Sequence, residues 1–433
     1  MTVSNTPSPE KPFSVAIIGG GLGGVVLGIG LQQQNVPFHI YEAAATFGEI
    51  GAGVAFGPNS VRALGLISPA LLEAYLRHAT MNEAPELFKT FLQFRKGTGE
   101  LGPPGGHLFD IRGGEQALSR TGLPTRCCIH RARFLDEIVK LLPAGSATFG
   151  RSLVEIVDEP DGGYLLKFAN GSTATASVVV GCDGIRSPTR QHIHGKDAKP
   201  VYAHEYAYRA FVPRAAYEEA LGVELAGNGQ IYVGQGGYII TYPVEHGTWV
   251  NMVAARNTPG SSWDLGAWQA PSTTEDILKD FEGWHPTVIK LLIDHGTQNK
   301  WALFDNKHKE KYCKGRICLL GDAAHATTPH LGAGAGMAME DSYILSNLLG
   351  DCQSLDDVER AFEAYDYMRR PRSQELVRLS RLSGLTYSFH DENVKNDVEK
   401  LQREFQKRYD WLWDADLKEH LEKAREFIPT GKS

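Results

Sequence analysis

Runs of apolar and polar residues change period along this chain, and the changes mark its elements. SVAII, residues 14–18, is a short apolar run, GGGLGG a tight turn, VVLGIGLQQQ a helical stretch, and FHIYE a second strand ending in a carboxylate. That order predicts a strand–helix–strand unit of Rossmann type. Two further apolar runs, SVVVGC from Ser177 and RICLLG from Arg316, predict strands that end at Asp183 and Asp322. MAMEDSYILSNLL sets Met337, Tyr343, Ile344 and Leu348 at helical spacings. EYAYRAFVP alternates as a strand, so Arg209 faces away from Tyr206 and Tyr208, and in GGYIITYPV the residues Tyr238, Ile240 and Tyr242 share one face. From Leu355 onward the periodicity is helical, with a break predicted at Pro371 and charges read as solvated faces.

Composition fits a folded globular chain: 433 residues, 42% hydrophobic and 22% charged, enough for two or three domains. A formal net charge of -7 offers no general attraction to polyanions, so no nucleic-acid partner is expected. Residues 14–31 carry no charge and approach spanning length, but their glycines argue against a membrane segment. MTVSNTPSPEKP reads as a disordered tail and not a signal peptide. Cys127, Cys128, Cys182, Cys313, Cys318 and Cys352 show no CxxC spacing, which points to reduced, buried thiols in a cytoplasmic protein.

The chemistry starts at Gly19, Gly21 and Gly24, which satisfy G-x-G-x-x-G between a strand and a helix. The first glycine allows the turn, the second lets a pyrophosphate approach the backbone, and the third lets helix pack on strand. Glu42, closing the second strand, is placed to accept hydrogen bonds from a ribose. Ligands of open α/β sheets sit at the carboxyl ends of strands, so Glu42, Asp183 and Asp322 are expected to converge on one elongated dinucleotide. In GDAAHATTPHLGAGAG, Asp322 would meet its ribityl or pyrophosphate part. Gly332, Gly334 and Gly336 would let backbone N–H groups approach a ring system, and the positive end of the next helix suits an anionic reduced flavin. His325 and His330 stand near Asp322 but lack a fourth ligand, so no metal is expected. For Arg209, Tyr238 and Tyr242, ligand contact and a place in the core both remain open.

GGGLGG with Glu42, CDGIRS and GDAAHATTPHLGAGAG together resemble the three fingerprints of class A flavoprotein aromatic hydroxylases, the single-component FAD monooxygenases. FGEIGAGVAFGPNSVRALG (47–65), HRARFLDEIVKLLP from His130 and YDWLWDADL from Tyr409 look like salicylate hydroxylases and related fungal phenol hydroxylases. The resemblance implies an α/β fold: a discontinuous Rossmann-like FAD-binding domain (1–185 and 300–350), a β-rich substrate domain (186–299) and a helical C-terminal region (351–433). It implies FAD held by Gly19, Gly21, Gly24 and Glu42, with Arg131 at the phosphates, Asp183 on the cofactor side, and Asp322 on the ribityl chain. Pro329 and the glycines 332, 334 and 336 would then lie beside the isoalloxazine.

The resemblance also implies NADH or NADPH docking only transiently, as reductant. The implied reaction, in a monomer or homodimer, is hydroxylation of a small aromatic substrate with O2 through a flavin C4a-hydroperoxide. Substrates would be salicylate-like acids that lose carbon dioxide, or resorcinolic aldehydes that are dearomatised. In the family the strand of Arg209 borders the substrate cavity, where Tyr242 would help hold a phenolate; Tyr238 stands where relatives often carry a histidine. Two other readings are a flavin-dependent dehydrogenase that does not use O2 and a non-catalytic flavin-binding module. Oxygen consumption separates the first from the hydroxylase, and substrate-stimulated NAD(P)H oxidation excludes the second.

Overall fold

The computed structural model describes residues 11–48, 53–115, 122–160, 162–264 and 266–427. Most of the N-terminal tail (1–10) and positions 49–52 of the 47–65 motif lie outside the described residues. The nucleotide half is built on a six-stranded sheet in the order Cys313–Lys314, Ile317–Leu319, Val178–Gly181, Val15–Ile18, Phe38–Tyr41, Ala147–Thr148. All neighbours are parallel except the Cys313–Lys314 edge. Val15–Ile18 and Val178–Gly181 are buried along their whole length, the continuous apolar signature of a sheet covered on both faces. Helices Leu22–Gln33 and Gly334–Asp351 pack on each other beside this sheet.

The second layer is an eight-stranded sheet that includes Val201–Pro213, Gly237–Val244, Trp249–Asn257 and Gly296–Asp305. Strands Thr90–Lys96 and His107–Arg112 belong to it as well, although they fall within the 1–185 span expected for the FAD domain. The strand Thr90–Lys96 pairs in parallel with Gln230–Gly234, a long-range partner that no local pattern announces. Likewise Gly296–Asp305 is one strand across the expected boundary at 300.

Helix Leu355–Tyr387 runs through Pro371 without the predicted break. Proline in a helix interior costs about 3 kcal/mol, and buried ion pairs to the neighbouring helix hold both sides of it: Arg369 to Asp341 at 2.8 Å and Arg372 to Glu340 at 2.7 Å. The expectation of solvated charges holds for residues such as Glu359, Glu363 and Arg378, which are exposed, but not for Asp366, Arg369 and Arg408, which are buried. Trp413 is buried against Phe91 and Tyr409. Among the described residues no helix is long and apolar enough to cross a membrane, and all six cysteines are free, Cys182 alone being partly exposed.

Candidate active site

A cleft of about 810 Å³ runs from the Gly-rich turn to the eight-stranded sheet. At one end Gly19 has φ +105°, and a side chain there would collide with the Cys182 carbonyl. A Cβ on Gly24 would strike the Gly19 carbonyl, so this glycine serves helix-on-strand packing. Glu42 reaches back over the turn, accepting from the N–H of Gly20 at 2.5 Å and of Ala44 at 2.7 Å. Helices Leu22–Gln33 and Gly334–Asp351 both begin at this cleft with no side-chain cap and no acidic residue in the first turn. Unmatched N–H groups of two helix starts facing one cavity favour an anionic or electron-rich ligand. Together with the side-chain-free turn, they fit a flavin dinucleotide.

Arg131, the first residue of helix Arg131–Ile138, lines the cleft, and so does Arg151, which no sequence motif flagged. Asp322 is exposed within it. Asp183 also borders the cleft, but its Oδ2 accepts from the N–H and hydroxyl of Thr189, at 3.0 and 2.7 Å. Burial raises its pKa against the bonds from Ser187 and Thr189, so this carboxylate first of all anchors the start of helix Pro188–His194. Pro329, Gly332 (φ +61°) and Gly334 line the cleft. Gly336 does not: it packs against Ser60 of helix Pro58–Ile67, where a Cβ would collide with the hydroxyl. Two residues along a helix turn the position by about 200°, which carries Gly336 to the face opposite Gly334 and corrects the sequence expectation.

Beyond Pro329 the cavity is walled by Arg209, Tyr238 and Tyr242. The Arg209 guanidinium lies 5.0 Å from the Trp301 ring centroid, and its Nε is buried with no hydrogen-bond partner among the described residues. Burial lowers the Arg209 pKa, partly offset by Tyr242, yet a guanidinium keeps its charge in proteins. Tyr242 donates to the Gly53 carbonyl at 2.8 Å. Burial, with Cys128, pushes its phenol up, against Arg126 and Arg209. Tyr238 lies 2.9 Å from Nδ1 of His330, whose Nε2 meets Glu205. His325 pairs with buried Asp341 at 2.5 Å, so the two histidines bind carboxylates on separate elements.

Sequence reasoning missed Arg126 and Glu205. Arg126 is buried, with its guanidinium 4.6 Å from the Tyr242 ring centroid, and precedes strand Cys127–His130 with no motif to flag it. For Glu205 a signal existed: the alternation that assigned Arg209 to one strand face put Glu205 on the same face.

Comparison with known proteins decides what such a cleft belongs to. The family described as "FAD binding domain" matches residues 164–380. A 6-methylsalicylate 1-monooxygenase of Aspergillus terreus is 40% identical, the alignment covering 96% of this chain and 91% of the relative. The chain belongs to the class A FAD-dependent monooxygenases. A salicylate hydroxylase of Pseudomonas putida is 34% identical over 95% of this monooxygenase and 94% of its own length. A solved salicylate hydroxylase substrate complex superposes with a TM-score of 0.83 at 31% identity, covering 96% and 98% of the two chains. The monooxygenase is thus an enzyme that uses FAD, against the dehydrogenase and non-catalytic readings.

Proposed function

We propose that this monooxygenase hydroxylates a salicylate-type phenol with NADH or NADPH as reductant and O2 as oxidant. One oxygen atom enters the ring and the other leaves as water. In this reading the Gly19–Gly21 turn and the uncapped helix start hold the pyrophosphate, Glu42 the ribose, Arg131 the phosphate region and Asp322 the ribityl chain, while Pro329, Gly332 and Gly334 flank the ring system. Bound FAD supplies the ring that the nicotinamide reduces and at which O2 is activated.

The residues of the chain bind the aromatic, orient its reacting carbon and keep water out. Arg209 carries the reading. A half-buried guanidinium whose Nε is buried and unmatched, held over Trp301 in the same cleft, suits the anion that a phenolate or carboxylate would supply. Ionising the phenol loads electron density onto the ring carbons that attack electrophilic oxygen, so a cation that favours phenolate favours hydroxylation. The salicylate class is supported by relatives named as 6-methylsalicylate 1-monooxygenase and salicylate hydroxylase. Attack at the carboxylated carbon would release carbon dioxide.

The test is a panel of salicylate, 6-methylsalicylate, hydroxybenzoates and resorcinolic aldehydes, scored for oxygen uptake, NAD(P)H oxidation, carbon dioxide and hydroxylated product by mass spectrometry. Salicylates giving coupled product with carbon dioxide release is the expected result. Product from resorcinolic aldehydes alone would replace the substrate class.

A further inference from the structure

Arg126 lines the same cleft with only 2% of its surface exposed. It stands one residue before strand Cys127–His130, which pairs with Gly53–Phe56. Its Nη1 donates to the Phe91 carbonyl at 2.9 Å, and its guanidinium carbon lies 5.1 Å from the Phe91 ring centroid and 4.6 Å from that of Tyr242. A side chain on Gly229 would come within 2.7 Å of Nε, so the neighbouring backbone leaves room for this guanidinium. Held on these sides, Nε and Nη2 are buried with no hydrogen-bond partner among the described residues. These two nitrogens form the side edge of the guanidinium, the edge that receives a carboxylate through two parallel N–H bonds.

A guanidinium keeps its proton in a protein, so a buried one calls for an opposite charge. The acidic groups that face Arg126 are Tyr75, Cys127, Cys128, Tyr242 and Tyr409, and burial pushes all five up. They are neutral, and no carboxylate pairs with Arg126 among the described residues. The rings of Phe91 and Tyr242 hold the cation in place and supply no charge. Arg209 acts on the same phenol: both guanidiniums draw the Tyr242 pKa down against burial, Arg126 more strongly. Two cations therefore stand near one tyrosine in one cleft, and Arg126 lacks a countercharge.

We propose that Arg126 binds the carboxylate of the substrate while Arg209 binds its phenolic oxygen, so that the cleft selects phenols carrying a second, acidic group. Phe91 and Tyr242, whose rings cover the guanidinium, line the cleft as well, so a carboxylate reaches the Nε–Nη2 edge by displacing one of them. A resorcinolic aldehyde offers that edge a neutral acceptor and leaves the charge uncompensated. Arg126 is thus the residue that sets carboxylated phenols apart from phenolic aldehydes. This subsite rests on the phenol-hydroxylase reading.

Titrating oxidised holoenzyme with salicylate and with salicylamide, followed through the flavin spectrum, compares an anion with a neutral group of the same shape. Wild type is expected to bind salicylate about ten- to hundredfold more tightly. Arg126→Gln should bring the two affinities to within about threefold by weakening salicylate alone, whereas Arg209→Ala should weaken both ligands. Arg126→Met, which removes an unpaired buried charge, should melt no lower than wild type without ligand and gain less from added salicylate. An unchanged preference in Arg126→Gln, or a ligand-free Arg126→Met that melts below wild type, assigns Arg126 to the fold and overturns the subsite. Wild type that binds the two ligands equally overturns it without any variant. Wild type that binds neither ligand overturns the functional reading instead.

Discussion

Tyr242 donates its hydroxyl proton to the carbonyl oxygen of Gly53 at 2.8 Å, which ties the eight-stranded sheet to the strand Gly53–Phe56. A substrate anion that recruits this hydroxyl has to displace that carbonyl. Tyr242→Phe keeps the ring under Arg126 and removes only the bond, so thermal unfolding should report a loss of about 1 kcal/mol. Turnover on a salicylate should fall less than on a resorcinolic aldehyde, whose ring has no carboxylate to engage a cation. Equal loss on both, measured as product per NAD(P)H oxidised, would assign Tyr242 to the fold alone.

Glu42 sits on the Gly-rich turn and accepts two backbone N–H groups, so its carboxylate is preorganised with lone pairs left for ribose hydroxyls. Glu42→Ala removes charge-assisted contacts worth roughly 1.5 to 3 kcal/mol. FAD affinity, measured by titrating apoprotein, should drop about ten- to hundredfold. An unchanged affinity removes Glu42 from the ribose site.

Gly334 and Gly336 are neighbours in one motif with opposite surroundings. A Cβ on Gly334 meets only the Thr327 methyl at 3.2 Å, while the same atom on Gly336 runs into Ser60. Gly334→Val should therefore fold with a near wild-type melting temperature but lose flavin, because its branches point into the cleft. Gly336→Val should instead lower the melting temperature by overpacking, about 1 to 3 kcal/mol. A normal flavin spectrum and turnover in Gly334→Val would show that its backbone does not approach the ring.

Glu340 is fully buried, and burial alone would push its carboxyl up. The guanidiniums of Arg372 and Arg369 outweigh this and, with Asn59, hold it well below the usual carboxylate range. A depressed folded pKa means that its stabilisation is complete above the unfolded value, about 4.3, and fades as pH falls toward the folded one. Glu340→Gln should thus cost about 3 kcal/mol at neutral pH. The gap to wild type should close progressively below about pH 4 in urea unfolding. A gap that stays constant on acidification would mean that another carboxylate carries the acid transition.

The nucleotide half was legible because its signals are local. One strand, one glycine turn and one helix decide the fate of Gly19, Gly21, Gly24 and Glu42 within a few dozen residues, and the strand ends at Asp183 and Asp322 follow from short apolar runs. What escaped depends on partners distant in sequence. Thr90–Lys96 joins the second sheet by pairing with Gln230–Gly234, and Pro371 is tolerated because Arg369 and Arg372 reach carboxylates on another helix. Gly336 was misread since a glycine that admits a ligand and one that admits a helix look alike in a motif. His330 gave no hint of Glu205, more than a hundred residues earlier, as its partner.

Arg209 separates flavin binding from chemistry, because it lies in the cleft but outside the Gly-rich turn, the Asp183 strand end and the Asp322 segment. Its strand pairs with Trp249–Asn257 on one side and Gly296–Asp305 on the other, so the backbone is fixed whatever the side chain is. Truncation to alanine removes a guanidinium that makes a cation–π contact with Trp301 and leaves no buried carboxylate unpaired, since no acid bonds it among the described residues. Arg209→Ala should therefore fold and hold FAD as wild type does. If the guanidinium holds the substrate anion, the variant loses a charge-assisted contact of roughly 1.5 to 3 kcal/mol and the orientation that goes with it. Hydroxylation should then fall at least about tenfold, with more of the reducing power escaping as hydrogen peroxide. Arg209→Lys should restore part of the binding and little of the coupling, because an ammonium keeps the charge without the planar fork. The measurement is product formed per NAD(P)H oxidised, across pH, for both variants. Wild-type coupling in Arg209→Ala on the true substrate would make the Trp301 contact structural and move the anion site to Arg126, a buried guanidinium that also lines the cleft.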